Sequence, residues 1–198
     1  MIKRKLLAAY VMILFALAAS PAGAGGLSAG LKYGHSILLA DYADPGSAVS
    51  ADLSCDFNQL TGAGFQFSYN IYQPLPACEI FGGDCRWERE GDFRVSEYFV
   101  FMRLSSPHLV IIPASAFIIL GPCWFNIDQD IVYTSGLGAS PQRRTIRRDI
   151  DRIGFIAGGG FIFDDFRGFS IEFAPVLKVL DDMDNHLDIY MGVRYEFN

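Results

Sequence analysis

Charge is scarce in this chain, and so are the residues that usually build a catalytic or metal centre. Of the 198 residues only 19% are Asp, Glu, Lys or Arg against 51% hydrophobic, and there are three histidines and four cysteines. No basic surplus exists, since 16 Lys and Arg face 22 Asp and Glu, and that excludes nucleic acid as a partner. No C-x-x-C pair occurs and no histidine lies close to a cysteine, so no zinc site is expected. Neither a metal nor a cofactor is implied. Past the first 24 residues, no apolar run approaches the roughly 20 residues of a membrane-spanning helix.

What the chain does carry begins at its N-terminus. Lys3, Arg4 and Lys5 precede the apolar run LLAAYVMILFALAA, and the small residues Ala22-Gly23-Ala24 follow. This is the grammar of a secretory signal peptide spanning residues 1–24, cleaved after Ala24. The run is too short for a membrane anchor. Residues 25–198 then form the mature domain, in which 13 basic side chains face 22 acidic ones. Export also places Cys55, Cys78, Cys85 and Cys123 where thiols oxidise. Four cysteines permit three complete pairings. Cys78 and Cys85 share one glycine-containing loop, CEIFGGDC, and are the preferred pair; Cys55 and Cys123 stay open.

Alternation decides the fold class, because a strand whose two sides meet different surroundings repeats with period two. Leu187, Ile189, Met191, Val193, Tyr195 and Phe197 occupy one side of the last segment, with Asp188, Tyr190, Gly192, Arg194 and Glu196 on the other. Similar segments run over 27–34, 49–57, 63–71, 153–163 and 168–179. Two more are expected over about 92–104 and 108–120, where alternation is poor. Either a bulge shifts their register or apolar side chains plug the interior beside them. A buried helix is the alternative for the second, although its Ile, Val and Phe content and Pro113 favour a strand.

Eight strands of about 9 to 11 residues suit a membrane crossed by tilted β-structure. The connections alternate in length: about His35–Ala48, Gln73–Gly91 and Gly121–Asp151 are long, and those between them are tight. That is the asymmetry of barrels with short periplasmic turns and long outside loops. Tyr69, Tyr72, Phe163, Phe169, Tyr195 and Phe197 fall near strand ends, where aromatic rings prefer the membrane interface. The expectation is an all-β, eight-stranded antiparallel up-and-down transmembrane barrel.

The leader, the strand count and the terminal strand LDIYMGVRYEF together resemble the small outer-membrane barrels of the OmpA-transmembrane-domain and OmpX type, grouped as porin-family β-barrel proteins. The likeness covers the whole mature chain. It implies residence in the outer membrane of a Gram-negative bacterium, insertion by the barrel-assembly machinery, contact with outer-membrane lipid and lipopolysaccharide, and a monomer. Members of that group end on the aromatic residue, whereas here Asn198 follows Phe197.

Three classes of function follow. An eight-stranded lumen has room for side chains or one small ligand, so Lys32, Asp52, Glu172, Lys178, Arg194 and Glu196 form either a polar plug or a narrow ion path. Within it, Lys32 is expected to face Glu196 or Asp188, and Arg194 to reach Glu172. An outer-membrane lipid A-modifying enzyme needs a nucleophile and a base near the outer leaflet, and Ser36 with His186, oriented by Asp184 or Asp188, is the candidate catalytic pair. The His-x-Ser-Asn-Ala type of motif of the deacylase barrels is absent, and no enzyme is expected. The third class is a surface-interaction anchor, with Arg143, Arg144, Arg147 and Arg148 as a candidate contact for lipopolysaccharide phosphates, which guanidinium binds bidentately. Asp149 and Asp151 in the same segment allow the alternative of a solvated, self-balanced loop.

Overall fold

A computed structural model describes residues 26–39, 43–74, 77–81, 84–90, 93–107, 113–135, 142–164, 168–180 and 185–197, with backbone alone at 38, 43–44, 73–74, 77–81, 84–90, 131–135, 142–144 and 164. The signal peptide expected over residues 1–24 lies outside the described residues. Among the described residues ten strands form: β1 (Leu27–Leu38), β2 (Ala43–Asp56), β3 (Thr61–Pro74), β4 (Ala77–Phe81), β5 (Asp84–Glu90), β6 (Phe93–Ser105), β7 (Ala114–Ser135), β8 (Gln142–Asp164), β9 (Phe169–Leu180) and β10 (His186–Phe197). Eight of them close on themselves in the order β1-β2-β3-β6-β7-β8-β9-β10, every neighbour antiparallel, with β10 returning to β1. The short β4–β5 hairpin stands outside the ring and joins it through β5, which pairs with the far end of β7.

The greasy side of each ribbon points outward. Ile189, Val193, Phe155 and Phe173 are 37%, 51%, 48% and 40% exposed, while their sequence neighbours Asp188, Arg194, Ile156 and Glu172 are buried. β9 alternates without a break along its whole length. An exterior of this kind is stable only against hydrocarbon, where a closed ring leaves no backbone group unpaired. Phe163, Phe169, Tyr195 and Phe197 lie on the outer surface at the end holding the tight turns, and Phe169 stacks on Tyr195 with ring centroids 4.8 Å apart. Tyr72 does not belong to that girdle: it points inward and is 1% exposed.

The poor alternation over β6 and β7 has a plain cause. Their register is constant from Phe93↔Gln129 to Ser105↔Phe117, so there is no bulge. Instead Val95, Phe99, Phe101, Phe117, Ile119, Phe125, Ile127 and Ile156 fill the lumen beside these strands while Met102, Leu104, Ile118 and Leu120 face lipid. Both sides meet apolar surroundings, and period two vanishes from the sequence. Glycine makes the room: a Cβ at Gly64 would stand 2.5 Å from Phe101 Cζ.

The fifth barrel strand is described from Ala114, just after Pro113, and its expected start near His108 lies outside the described residues. The expected long loop from Gly121 to Asp151 is instead a continuous ladder, because β7 and β8 stay paired out to Ser135↔Gln142. At about 3.4 Å per residue, β8 reaches roughly 40 Å along the strand past its last pairing with β9, at Gly154↔Leu180.

Candidate functional site

Among the described residues the lumen holds two ion-pair circuits against the inner faces of β1–β3, β6, β9 and β10, with a separate Arg103–Asp56 pair at the tight-turn end. The lower one, nearer the tight turns, is built by register. β1 sets Lys32 beside Ser50 on β2 and Gly192 on β10, and β10 sets Arg194 beside Ser170 on β9 and Gly30 on β1. Arg194 Nη2 lies 2.7 Å from Glu172 Oε2 and 3.2 Å from Asp52 Oδ1, and its Nη1 donates to Ser28 and Ser54. Lys32 Nζ lies 3.1 Å from Asp52 Oδ2 and also pairs with Glu172. Two cations thus meet two carboxylates, all four at most 4% exposed.

The upper circuit lies toward the opposite mouth. Lys178 pairs with both Glu97 and Asp188. Asn70 Nδ2 donates to Glu97 Oε1 at 2.8 Å. Ser36 donates to Asp188, and Tyr72 bridges Ser36 to His186, its hydroxyl 2.8 Å from His186 Nδ1. The Tyr190 hydroxyl lies between Asp188 and Ser68, and Ser68 accepts from Gln66, which accepts from Lys32. The two circuits are therefore one hydrogen-bonded column.

Five of the six expected lumen residues lie in this column. Glu196 does not: it is exposed at the rim that holds the tight turns, opposite Ser28. Lys32 accordingly meets Asp52 and Glu172, not Glu196 or Asp188, whereas Arg194 does reach Glu172. Parity along a strand tells which side a residue takes but not its height, and position 196 lies past the enclosed stretch. Glu97, Tyr72 and Asn70 belong to the column beyond the expected six. A lone carboxylate in phase with Val95, Phe99 and Phe101 was the available signal.

Ser36 and His186 lie on adjacent strands without touching: the Tyr72 hydroxyl bridges them, and neither side chain has any exposed surface. Asp184 lies outside the described residues. Among the described residues, no group of three or more His, Cys, Asp or Glu is arranged to hold a metal.

Outside the ring, strand alternation divides the expected basic cluster. Arg147 faces outward with Asp128, Asp149 and Asp151, and its guanidinium donates to both Asp128 oxygens, at 3.2 and 2.6 Å. Those hydrogen bonds raise its pKa above the ordinary arginine value. Arg148 projects from the opposite face, is exposed, and makes no ion pair among the described residues. Arg143 and Arg144 are strand residues opposite Thr134 and Tyr133, and their side chains lie outside those described. The same holds for Cys78 and Cys85, whose backbones oppose Glu88 and Ile80. Cys55 and Cys123 are free thiols.

No family model matches the chain, and no curated protein matches it in sequence. Solved structures do. Ail, the attachment invasion locus protein of Yersinia pestis, in complex with the heparin analogue sucrose octasulfate, is 15% identical with a TM-score of 0.51, over 87% of this chain and 97% of that one. Neisserial surface protein A is 13% identical with a TM-score of 0.50, over 87% and 97%. A major outer membrane protein from Thermus thermophilus is 10% identical with a TM-score of 0.52, over 86% and 99%. The ring order, the outward apolar surface and these likenesses together show the fold of the small eight-stranded outer-membrane β-barrels.

Proposed function

We propose that this protein works at its outer end, as a monomeric outer-membrane anchor that carries an interaction surface and conducts nothing. The observation that carries the reading is a contrast within one molecule. The lumen is filled by an ion-pair column on one side and aromatic and aliphatic side chains on the other, while β7 and β8 continue as a paired hairpin far past the ring. A pore needs the reverse, an open lumen. A lipid A hydrolase needs substrate to reach Ser36 and His186, which are fully enclosed.

In this reading residues 1–24 direct export and are removed, the barrel-assembly machinery of a Gram-negative cell inserts the mature chain, and both termini remain periplasmic. A Cys78–Cys85 bridge would staple the β4–β5 hairpin beside β7. The chemistry bound is an anionic saccharide, either the phosphorylated sugars of lipopolysaccharide or a sulfated glycan such as the heparin analogue held by Ail. Arg148, with Arg143 and Arg144, is the proposed contact, since Arg147 is already committed to Asp128.

The test uses the refolded full-length barrel. Arg148→Ala is expected to weaken retention on immobilised heparin or lipopolysaccharide, and Arg147→Ala to leave it nearly unchanged. Preference for one matrix identifies the source of the anion. Equal loss in both variants, or steady single-channel conductance in a planar bilayer, would overturn the proposal.

A further inference from the structure

The upper circuit is short of one positive charge. The lower circuit sets Lys32 and Arg194 against Asp52 and Glu172 and balances, but above it Lys178 alone meets Glu97 and Asp188, both wholly buried. An uncompensated charge enclosed in this way is costly. Among the described residues no second cation pairs with either carboxylate. The elements packed around it contribute Ser36 from β1, Asn70 and Tyr72 from β3, Glu97 from β6, Cys123 and Phe125 from β7, Lys178 from β9, and His186 and Tyr190 from β10, while Arg152 of β8, on the same inner face as Phe125, donates to the Asp151 carbonyl. Among these groups His186 is the one that can add a positive charge, and its Nε2 is buried without a partner.

Counting hydrogens fixes the direction of the bonds. The Ser36 hydroxyl has one proton and gives it to Asp188 Oδ1, so in its contact with Tyr72 it must accept. The Tyr72 proton is then committed to Ser36, and the 2.8 Å contact with His186 Nδ1 requires the proton to sit on that nitrogen. Each donor points at the next acceptor, ending on Asp188. The bare lone pair of His186 Nε2 stands at the start, one residue from the exposed Asn185.

We propose that this row is a proton-loading path, in which a proton taken from the outside medium at His186 Nε2 neutralises the upper circuit by arriving, through Tyr72 and Ser36, on Asp188. The step balances. A proton adds to Nε2, the Nδ1 proton passes to the Tyr72 oxygen, the Tyr72 proton passes to Ser36, and the Ser36 proton passes to Asp188. His186 ends neutral with its hydrogen on Nε2, both hydroxyls are restored, and Asp188 becomes a carboxylic acid beside Lys178. The path is independent of what the outside hairpin binds.

The experiment uses the folded barrel in lipid nanodiscs, each variant first checked for its heat-modifiable gel shift. Nitrogen-15 spectra of histidine-labelled protein at alkaline pH, with His186 assigned by its loss in His186→Asn, should show its proton on Nδ1. Infrared difference spectra from alkaline to acidic pH should show a carboxylic acid band that is lost in Asp188→Asn and lost also in Glu97→Gln, which balances the circuit without a proton. After a pH jump, Tyr72→Phe should delay that band. A proton on Nε2 at alkaline pH, a band persisting in Glu97→Gln, or an undelayed band in Tyr72→Phe would each overturn the proposal. Should Asp188→Asn fail to refold, the histidine spectrum and Glu97→Gln still decide it.

Discussion

Removing Lys178 tests the column at the point where its electrostatics are most one-sided. Lys178→Met keeps most of the aliphatic stem and deletes the ammonium, leaving Glu97 and Asp188 enclosed with no cation between them. Breaking a buried ion pair by removing one partner costs about 3–5 kcal/mol, because the charge left behind keeps its desolvation penalty. At about 1.4 kcal/mol per factor of ten, that is a hundred- to few-thousand-fold loss in the ratio of folded to unfolded barrel. The sign of the pH dependence follows from which state binds more protons. In the variant the two enclosed carboxylates take up protons in the folded state as pH falls, and a protonated carboxyl no longer bears an unpaired charge. The deficit should therefore be largest in alkali and shrink in acid. Urea unfolding in lipid vesicles, followed by the heat-modifiable gel shift at alkaline and mildly acidic pH, measures both effects. Adding Glu97→Gln and Asp188→Asn to Lys178→Met should recover much of the loss, since no charge is then buried. A Lys178→Met barrel as stable as the parent in alkali, or with a deficit unchanged by acid, would refute the electrostatic account.

Other consequences follow from which face a side chain occupies. Val193→Arg places a charge on the lipid-facing surface near mid-strand and should cost about 2–4 kcal/mol in the same unfolding assay, whereas Arg148→Ala on the hairpin should cost nothing measurable. Phe101→Ala empties part of the apolar plug and should cost about 3–5 kcal/mol, and a change below about 1 kcal/mol would mean that the lumen there is not tightly filled. In the folded barrel Cys123, 4% exposed, should resist maleimide. Unfolded without reductant, the chain should offer two reactive thiols if Cys78 and Cys85 are joined and four if they are not.

Legibility in the sequence tracked the contrast between the two sides of each strand. β1, β9 and β10 separate lipid from an ionic lumen, so Lys32, Glu172, Lys178 and Arg194 declared their inward position by alternation alone. β6 and β7 separate lipid from an apolar plug, and there the contrast disappears. For that reason no contrast in the sequence marks Glu97 among Val95, Phe99 and Phe101, although it supplies half of the anionic partnership of Lys178. Past the membrane the same loss occurs with opposite polarity. Asp128, Asp130, Asp149 and Asp151 fall among polar neighbours in segments wetted on both faces, so a regular hairpin was indistinguishable from a charged loop. Strand order sets Ser36 and His186 on neighbouring strands, yet sequence does not place the Tyr72 ring between them, because that depends on the bore of the ring.

The strands that leave the ring are two of those whose inner faces are apolar. β7 and β8 pair without a register shift from Ala114↔Phe163 beside the tight turns to Ser135↔Gln142 at the far end, and their lower halves are clamped by Phe117, Ile119, Phe125 and Ile156. The hairpin is thus a continuation of the most tightly plugged wall of the barrel, and it should behave as a stiff lever. That has a measurable consequence. Amide exchange of a ladder opens from its unclamped end, so protection should rise steadily from the hairpin tip toward Ile127↔Ile150 and become maximal below it. Replacing residues 130–147 by Asn-Gly, a two-residue turn suited to antiparallel strands, joins Gln129 to its own partner Arg148. The shortened protein should keep its gel shift and its protection below the rim while its retention on heparin and lipopolysaccharide weakens, because Arg143 and Arg144 are removed and Arg148 is left alone. Loss of the gel shift instead would show that the outside sheet holds the ring together, and that the hairpin is a structural brace and not a presented surface.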